Sequence, residues 1–361
     1  ALPLLLVLAW LAGRGGPGAA PPGGTPEAAG PTANESASWA QPLRLAFNEP
    51  SRPAAAGGRT LRVPSEHPTI QAAIDAAVDG DLVLIAPGTY RETLQTRGRS
   101  IEVRGEGRAA EVVLESPDGG RILTVAGGQP IRTAFRDLSF TGSDRDYAVH
   151  GNKASVVFER CVFRGNGGGG VQNISLICDE ADGSWYLDCL FLGNGSNGGV
   201  GVVVGWQSAV VEGCAFIDNH VIRPPHESGR AAGGGLFYSD WECGEHTLAV
   251  RDCIFAGNRA EWGGAIYVEG DLRSPGEQPE ATLERTIFYA NDAKEGPVAW
   301  PWHIRLTVRD SVLCGEGDLI RHQWIDDGGN RFVAPGEGPP YEDADGDLVP
   351  DPLQSLLGLP T

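Results

Sequence analysis

A ten-residue phrase recurs seven times along this chain, and no other feature restricts its fold so tightly. The copies are AFRDLSFTGS (134–143), VFERCVFRGN (157–166), WYLDCLFLGN (185–194), VVEGCAFIDN (210–219), AVRDCIFAGN (249–258), TLERTIFYAN (282–291) and TVRDSVLCGE (307–316). Their starts lie 23, 28, 25, 39, 33 and 25 residues apart. Order is kept within each phrase while the spacing between phrases varies. Stacked coils joined by loops of unequal length give that pattern.

Each position has its own chemistry. The second is apolar or aromatic, and the third and fourth are mostly charged or polar. The fifth holds Cys161, Cys189, Cys214 and Cys253, with Leu138, Thr286 and Ser311 in the other copies. The seventh is Phe140, Phe163, Phe191, Phe216, Phe255 and Phe288, then Leu313; the tenth is Asn166, Asn194, Asn219, Asn258 and Asn291. Positions five and seven are two apart and so share one face of a strand. Both are expected to point inward. Parallel strands stack about 4.8 Å apart, so like residues should form columns, phenylalanines in one and thiols in another. Asparagine amides at a turn can link neighbouring rungs. Glycine-rich segments follow, namely GGGGVQNISL (167–176), GGVGVVVGW (198–206), GGGLFY (233–238) and GGAIYV (263–268). One coil therefore reads as strand, asparagine turn, glycine-rich bend, strand and outer loop. No helical periodicity interrupts residues 134–316. The fold class is all-β, a parallel β-helix solenoid over residues 59–322.

The ends differ from this body. Residues 1–12, ALPLLLVLAWLA, are apolar and too short to span a bilayer, which needs about 20 residues. With the small residues that follow, 1–20 read as a secretory signal peptide. Residues 21–58 are rich in Pro, Gly and Ala and read as a flexible linker. The mature body is expected outside the cytoplasm, secreted or at the cell surface, with no transmembrane segment. A net charge of −19 and the lack of a Lys/Arg cluster weigh against nucleic acid as a partner. No CxxC pair supports a zinc site. Cys178 and Cys243 lie in loops and are candidates for a disulfide across two coils, over a gap that strains ordinary reach.

Ahead of the repeats, Ile70, Ala73, Ile74 and Ala77 fall on one face of a short helix over 69–78. Pro68 and Thr69 suit its start and Gly80 its stop. Leu82–Ala86 then reads as a buried strand. Such a helix can plug the open N-terminal end of a coil and cover its unpaired edge.

Here VPSEHPTIQAAIDAAVDGDLVLIAPGTYRE resembles the N-terminal capping segment of the pectin-lyase-like superfamily, seen in pectin methylesterases and right-handed parallel β-helix proteins. The tetrapeptides FRGN, FLGN, FIDN, FAGN and FYAN, with GGAI at 263–266, resemble the repeats of polymorphic outer-membrane proteins. Together the resemblances imply a right-handed parallel β-helix. They fix no activity, because this fold hosts lyases, hydrolases, epimerases and non-enzymatic adhesins. The GxxDFIFG-type stretch of pectin methylesterases is missing. No set of calcium-binding acids with a catalytic arginine, as in pectate lyases, maps onto the chain.

Residues 342–351 read EDADGDLVPD. Alternating carboxylates on a tight turn can converge on a hard cation, and Asp343, Asp345, Asp347 and Asp351 are the candidate calcium ligands. The string resembles calcium-binding type 3 thrombospondin repeats. It is not an EF-hand loop, since no Glu stands at the twelfth position.

The loops before the repeat strands carry many aromatic and acidic residues. They include Tyr147, Asp179, Glu180, Asp182, Trp185, Trp206, Gln207, Tyr238, Asp240, Trp241, Glu242, His246, Trp300, Trp302 and His303. Aromatic faces beside carboxylates suit sugar rings. Trp206, Trp241, Trp300 and Trp302 are the candidate ring platform, with Asp182 or Asp240 on hydroxyls. The same residues also suit aromatics packed under their own loops with solubilising acids. An insertion at 220–232, with His220, Arg223, His226, Glu227 and Arg230, is placed to arch over an adjacent groove. Two functions follow. One is a secreted or surface scaffold that binds a polysaccharide or cell-surface glycan without catalysis. The other is a polysaccharide lyase or hydrolase that uses loop carboxylates.

Overall fold

The computed structural model describes residues 58–126, 132–152, 154–174, 183–195, 201–221, 231–240, 246–270, 279–336 and 338–360. The proposed signal peptide and linker, the Cys178–Cys243 pair and the middle of the 220–232 insertion lie outside these residues.

The chain winds as a right-handed parallel β-helix with three long sheets of eleven, ten and eight strands, every strand pairing among the described residues parallel. The coil register is the phrase register. Ser155–Glu159 pairs with Arg132–Arg136 on one side and with Ser184–Leu187 on the other, in the eleven-stranded sheet. Val162–Arg164 pairs with Ser139–Thr141 and Leu190–Leu192 in the ten-stranded sheet. The glycine-rich segments supply the eight-stranded sheet, including Val171–Ile174, Val202–Gly205, Leu236–Asp240 and Ile266–Gly270. Each coil thus has three strands, where the sequence pattern implied two.

The extra division falls inside the phrase. Its fourth residue takes a left-handed backbone at Asp137, Arg160, Asp188, Asp252, Arg285 and Asp310, with φ between 48° and 57°. Gly213 does the same at φ 64°. Short polar side chains tolerate this region better than most. The corner sends positions one to three into the eleven-stranded sheet and six to eight into the ten-stranded one.

The expected columns form. Phe140, Phe163, Phe191, Phe216, Phe255 and Phe288 are fully buried, with successive rings stacked at 4.5–5.4 Å. A second column starts at Phe135, Phe158 and Tyr186. Cys161, Cys189, Cys214 and Cys253 line the corner as free thiols, each directed at a carbonyl one coil back. Burial pushes the Cys161 and Cys214 thiols up, which keeps them neutral. Glycine is needed where the asparagine bend meets the phenylalanine column. A Cβ at Gly201 would come within 2.5 Å of the Gly235 carbonyl oxygen and 3.2 Å of the Phe216 ring.

The asparagines form a continuous ladder. Asn219 donates from Nδ2 to the Phe191 carbonyl (2.8 Å) and to Asn258 Oδ1 (3.0 Å). Asn258 repeats this with Phe216 (2.7 Å) and Asn291 (3.0 Å). Every buried turn therefore satisfies backbone groups that no strand reaches.

Helix α1 (Ile70–Ala76) closes the N-terminal end, with Ile70, Ala73 and Ile74 buried in the main core. Thr69 Oγ1 accepts from the Ala72 N–H, and the Glu92 carboxylate accepts from the Ile70 and Gln71 N–H groups. Three orphan donors of the helix start are thereby met. At the far end, Ile325–Asp326 and Arg331–Val333 add strands past residue 322. Helix α2 (Asp351–Leu357) packs on the outside of the ten-stranded sheet. No helix of the described residues is long and apolar enough to cross a membrane.

Candidate functional site

Strand alternation decides what the eight-stranded sheet shows to its surroundings. In Ala299–Trp302, Ala299 joins the main core, so Trp300 and Trp302 face outward. The pairing register places Val203, Phe237, Tyr267 and Trp300 in one outward row. Towards the N-terminal end the same row continues through Gln172, His150 and Thr124. A neighbouring outward row holds Gly205, Ser239, Glu269 and Trp302. The floor is therefore polar at one end and aromatic at the other.

At the aromatic end, Trp262 meets Trp300 edge to face at 5.6 Å. His322 lies 5.2 Å from both Trp300 and Trp302, and His303 4.4 Å from Trp302. Trp300 is 4% exposed and Tyr267 2%, Trp262, Trp302, His303 and Phe237 are half-buried, and His322 is exposed. Beneath them the Glu269 carboxylate accepts from Ser239 Oγ (2.9 Å) and Tyr267 Oη (3.2 Å). Burial and nearby Arg321 hold the His322 imidazole below its usual range.

A side wall borders this floor. Arg259–Trp262 pairs with Asp292–Glu295, and His220 and Ala232 bridge to Arg259 and Trp262. Val221 and Ala231, the two ends of the 220–232 insertion, pack against Val203 and Phe237. The insertion thus begins and ends against the floor; the middle of it, expected to arch over the groove, lies outside the described residues.

At the polar end, Arg121 pairs with Asp146 at 2.8 Å, and His150 Nδ1 sits 3.0 Å from Gln172 Oε1. Burial, with Arg121 nearby, lowers the His150 pKa. The sequence pattern did not single out Arg121, His150 or Gln172. Their spacing matches the repeat, but a lone polar residue in a short strand carries no distinguishing signal before the register is known.

The predicted binding residues separate into three groups. Trp206, Trp300 and Trp302 lie on coils of the same sheet, with Trp206 just after the Gly205 rung and the other two at its C-terminal end. Trp206 is half-buried and turns the corner at φ 53°. Asp240 requires a correction. It falls on the inward parity of Leu236–Asp240 and is fully buried, so it is not offered to a ligand on the surface. Its Oδ1 lies 2.7 Å from His246 Nδ1 and its Oδ2 accepts from the His246 N–H. Tyr238 and Gln207 are likewise core residues. Asp182 and Trp241 lie outside the described residues, as do Asp179, Glu180 and Glu242.

The acidic tail converges differently from the expected order. Ligand oxygens of Asp343, Asp345 and Asp351 lie within 4.8 Å of one another. Asp347 instead accepts from the Val349 N–H (2.8 Å) and from Gln354 Nε2 (2.9 Å). Gln354 is 2% exposed, and its Oε1 has no hydrogen-bond partner among the described residues. Counted from Asp343, Gln354 is the twelfth residue and Leu348 the sixth, the latter held at φ 67°. In an EF-hand loop these positions carry a bidentate Glu and a Gly. The Gln354 amide nitrogen, and not its unpaired oxygen, faces Asp347. The donors are all hard oxygens, which fits calcium.

A family model described as the Chlamydia polymorphic membrane protein (Chlamydia_PMP) repeat matches residues 252–269. No curated protein matches the sequence. Among solved structures, the chain is similar to an alginate lyase from Paenibacillus sp. str. FPU-7, at 15% identity and a TM-score of 0.42 over 76% of this chain and 98% of that one. It is also similar to rice weevil pectin methyl esterase, at 12% identity and a TM-score of 0.39 over 85% and 90%. A third is a tailspike protein from Acinetobacter baumannii bacteriophage Fri1, described as a capsular polysaccharide depolymerase, at 11% identity and a TM-score of 0.38 over 78% and 62%.

Proposed function

We propose that this protein is a secreted or cell-surface β-helical scaffold that binds a glycan on the outer face of its eight-stranded sheet. The observation that carries the reading is the outward aromatic cluster of Trp262, Trp302, His303 and His322 around Trp300, beside a side wall. Half-buried rings offer flat apolar faces to sugar C–H groups, and the polar end of the floor supplies hydrogen-bonding groups for hydroxyls. The net charge of −19 favours a neutral glycan, or an anionic one bridged by calcium, over a bare polyanion. A glycan-array screen of wild type against Trp302→Ala tests this. Binding lost in the variant supports it, and binding that survives unchanged refutes it.

Enzymatic action on a polysaccharide is the second reading, and the Asp240–His246 contact favours it. A buried carboxylate that orients a half-buried imidazole is a recurrent acid–base arrangement. Product release from an array-positive glycan, abolished in His246→Gln, would establish catalysis.

The tail is proposed to hold one calcium ion through Asp343, Asp345 and Asp351, with Asp347 and Gln354 adjoining. The support is the convergence of three carboxylates, all hard oxygen donors.

A further inference from the structure

The outside of a solenoid sheet faces water and is ordinarily polar. The third position of the phrase obeys this on the eleven-stranded sheet in six of the seven copies, with Arg136, Glu159, Glu212, Arg251, Glu284 and Arg309, Leu187 being the exception. The ten-stranded sheet does not. Its outward sixth position reads Val162, Leu190, Ala215, Ile254, Ile287 and Val312, an unbroken apolar stripe along six coils. A stripe of that length left bare would be an association hazard.

The C-terminal tail covers it. Tyr341, Val349, Leu353 and Leu357 are buried against the stripe. Their order shows the path. Tyr341 sits beside Tyr289 and Cys314, Leu348 lies over Gly257, and Gly358 lies against Arg108. The tail therefore runs back against the winding direction and crosses the coils from the last repeats to the strand Val112–Glu115. From the Gly257 coil to that strand is five rungs, or about 24 Å at about 4.8 Å per rung. It ties together coils that otherwise touch only their neighbours.

What holds the tail down is not the helix itself. Seven residues do not sustain an isolated helix in water. The acidic loop shapes the approach to α2: Tyr341 Oη donates to the Leu348 carbonyl, the Asp351 N–H to the Glu342 carbonyl, and the Ala344 N–H to the Asp351 carboxylate. The loop that leads into α2 holds three carboxylates within 4.8 Å of one another, with Asp347 alongside. Like charges at that separation oppose the docked geometry. A divalent cation among those oxygens reverses the sign of that opposition.

We propose that residues 341–359 are a strap fastened by a divalent cation, whose release uncovers the apolar stripe on the ten-stranded sheet. This rests on the calcium reading of the tail and adds to it a coupling between cation binding and docking. Coupling is reciprocal: if calcium raises the docked population by some factor, docking raises calcium affinity by the same factor. At a hundred times its dissociation constant, a cation that binds only the docked form shifts the equilibrium about a hundredfold.

The test is hydrogen exchange by mass spectrometry on the full chain, in calcium chloride and in chelator, paired with calorimetric calcium titration. In wild type, amides of 341–357 should exchange at least about tenfold more slowly with calcium. The eleven-stranded sheet should not respond. Asp345→Asn should lose both the calcium heat and the protection. Leu353→Asp with Leu357→Asp leaves all the carboxylates in place, yet should weaken calcium binding by the factor that calcium slows exchange in wild type. Calcium heat without any change in tail exchange would overturn the strap and leave the calcium site standing. Unchanged calcium affinity in the double variant would do the same. No calcium heat in wild type would remove the cation site and the fastener with it.

Discussion

At the scale of single residues, the phrase is a set of contacts made to the coils before and after. Phe191 stacks on Phe163 at 4.8 Å and Phe216 at 4.7 Å. Phe191→Ala should lower stability by about 3–5 kcal/mol in denaturant unfolding, the range for a buried aromatic. A loss below about 1 kcal/mol would contradict the inward column. Asn258→Leu removes two donors and strands the Asn219 N–H, whose acceptor is Asn258 Oδ1. At about 1–3 kcal/mol for each buried group left unpaired, it should cost at least about 2 kcal/mol. Both columns were legible in the sequence, because each position in a coil meets its own kind in the next. The corner charges were not. Position four reads Asp, Arg, Asp, Gly, Asp, Arg, Asp down the stack. Arg160 pairs with Asp137 and Glu159, and Arg285 with Asp252 and Glu284. Asp188 has no such cation within ion-pair distance among the described residues. Burial first, with Glu159 and Glu212 adding and Arg160 partly offsetting, pushes its pKa up to about 7. A raised acid stabilises the fold fully below its unfolded value of about 3.9, and that contribution is lost as pH rises through about 7. Asp188→Asn should therefore match wild type near pH 4 and exceed it at pH 8, by up to about 4 kcal/mol. Equal stability of the two proteins at pH 8 would show that Asp188 is solvated there.

At the scale of elements, local pattern and stacking agree in some places and part in others. Helix α1 was legible to within two residues, since its apolar face and Thr69 cap are encoded in one short window. The division of each phrase into two strands was not, because a left-handed residue at position four is visible only as a preference for Asp, Arg and Gly. The ten-stranded sheet hid its own signal. An apolar residue at position six looks like core until the parity of the strand turns it outward, under α2. The clustering of acidic residues in this loop was legible in their alternation, but not which of them converge: Asp343, Asp345 and Asp351 come together, while Asp347 turns to the Val349 N–H and Gln354. Asp345→Ala should abolish the calcium heat seen by titration calorimetry with the intact protein. Equal heats from the two proteins would place the ion elsewhere or remove it.

At the scale of the whole molecule, the stack turns scattered residues into a surface. Phe237, Tyr267 and Trp300 are about 30 residues apart in sequence and adjacent in space, because each occupies the same place in successive coils. The sequence pointed to Trp206, Trp300 and Trp302 through composition; Trp300 and Trp302 lie in one strand of the eight-stranded sheet, and Trp206 lies at the corner that follows another of its strands. It pointed wrongly to Asp240, since inward parity and the bond to His246 bury that carboxylate. The polar floor around His150 and Gln172 had no sequence signal at all. The central claim is that one face of this solenoid, and not its aromatic content in general, binds a glycan. Trp185 supplies the control, being half-buried on the eleven-stranded sheet. The direct measurement is calorimetric titration of an array-positive glycan into wild type, Trp302→Ala and Trp185→Ala. The account predicts at least a tenfold weaker affinity for Trp302→Ala, about 1.4 kcal/mol, and wild-type affinity for Trp185→Ala. Undiminished binding by Trp302→Ala, or an equal loss in both variants, would contradict it.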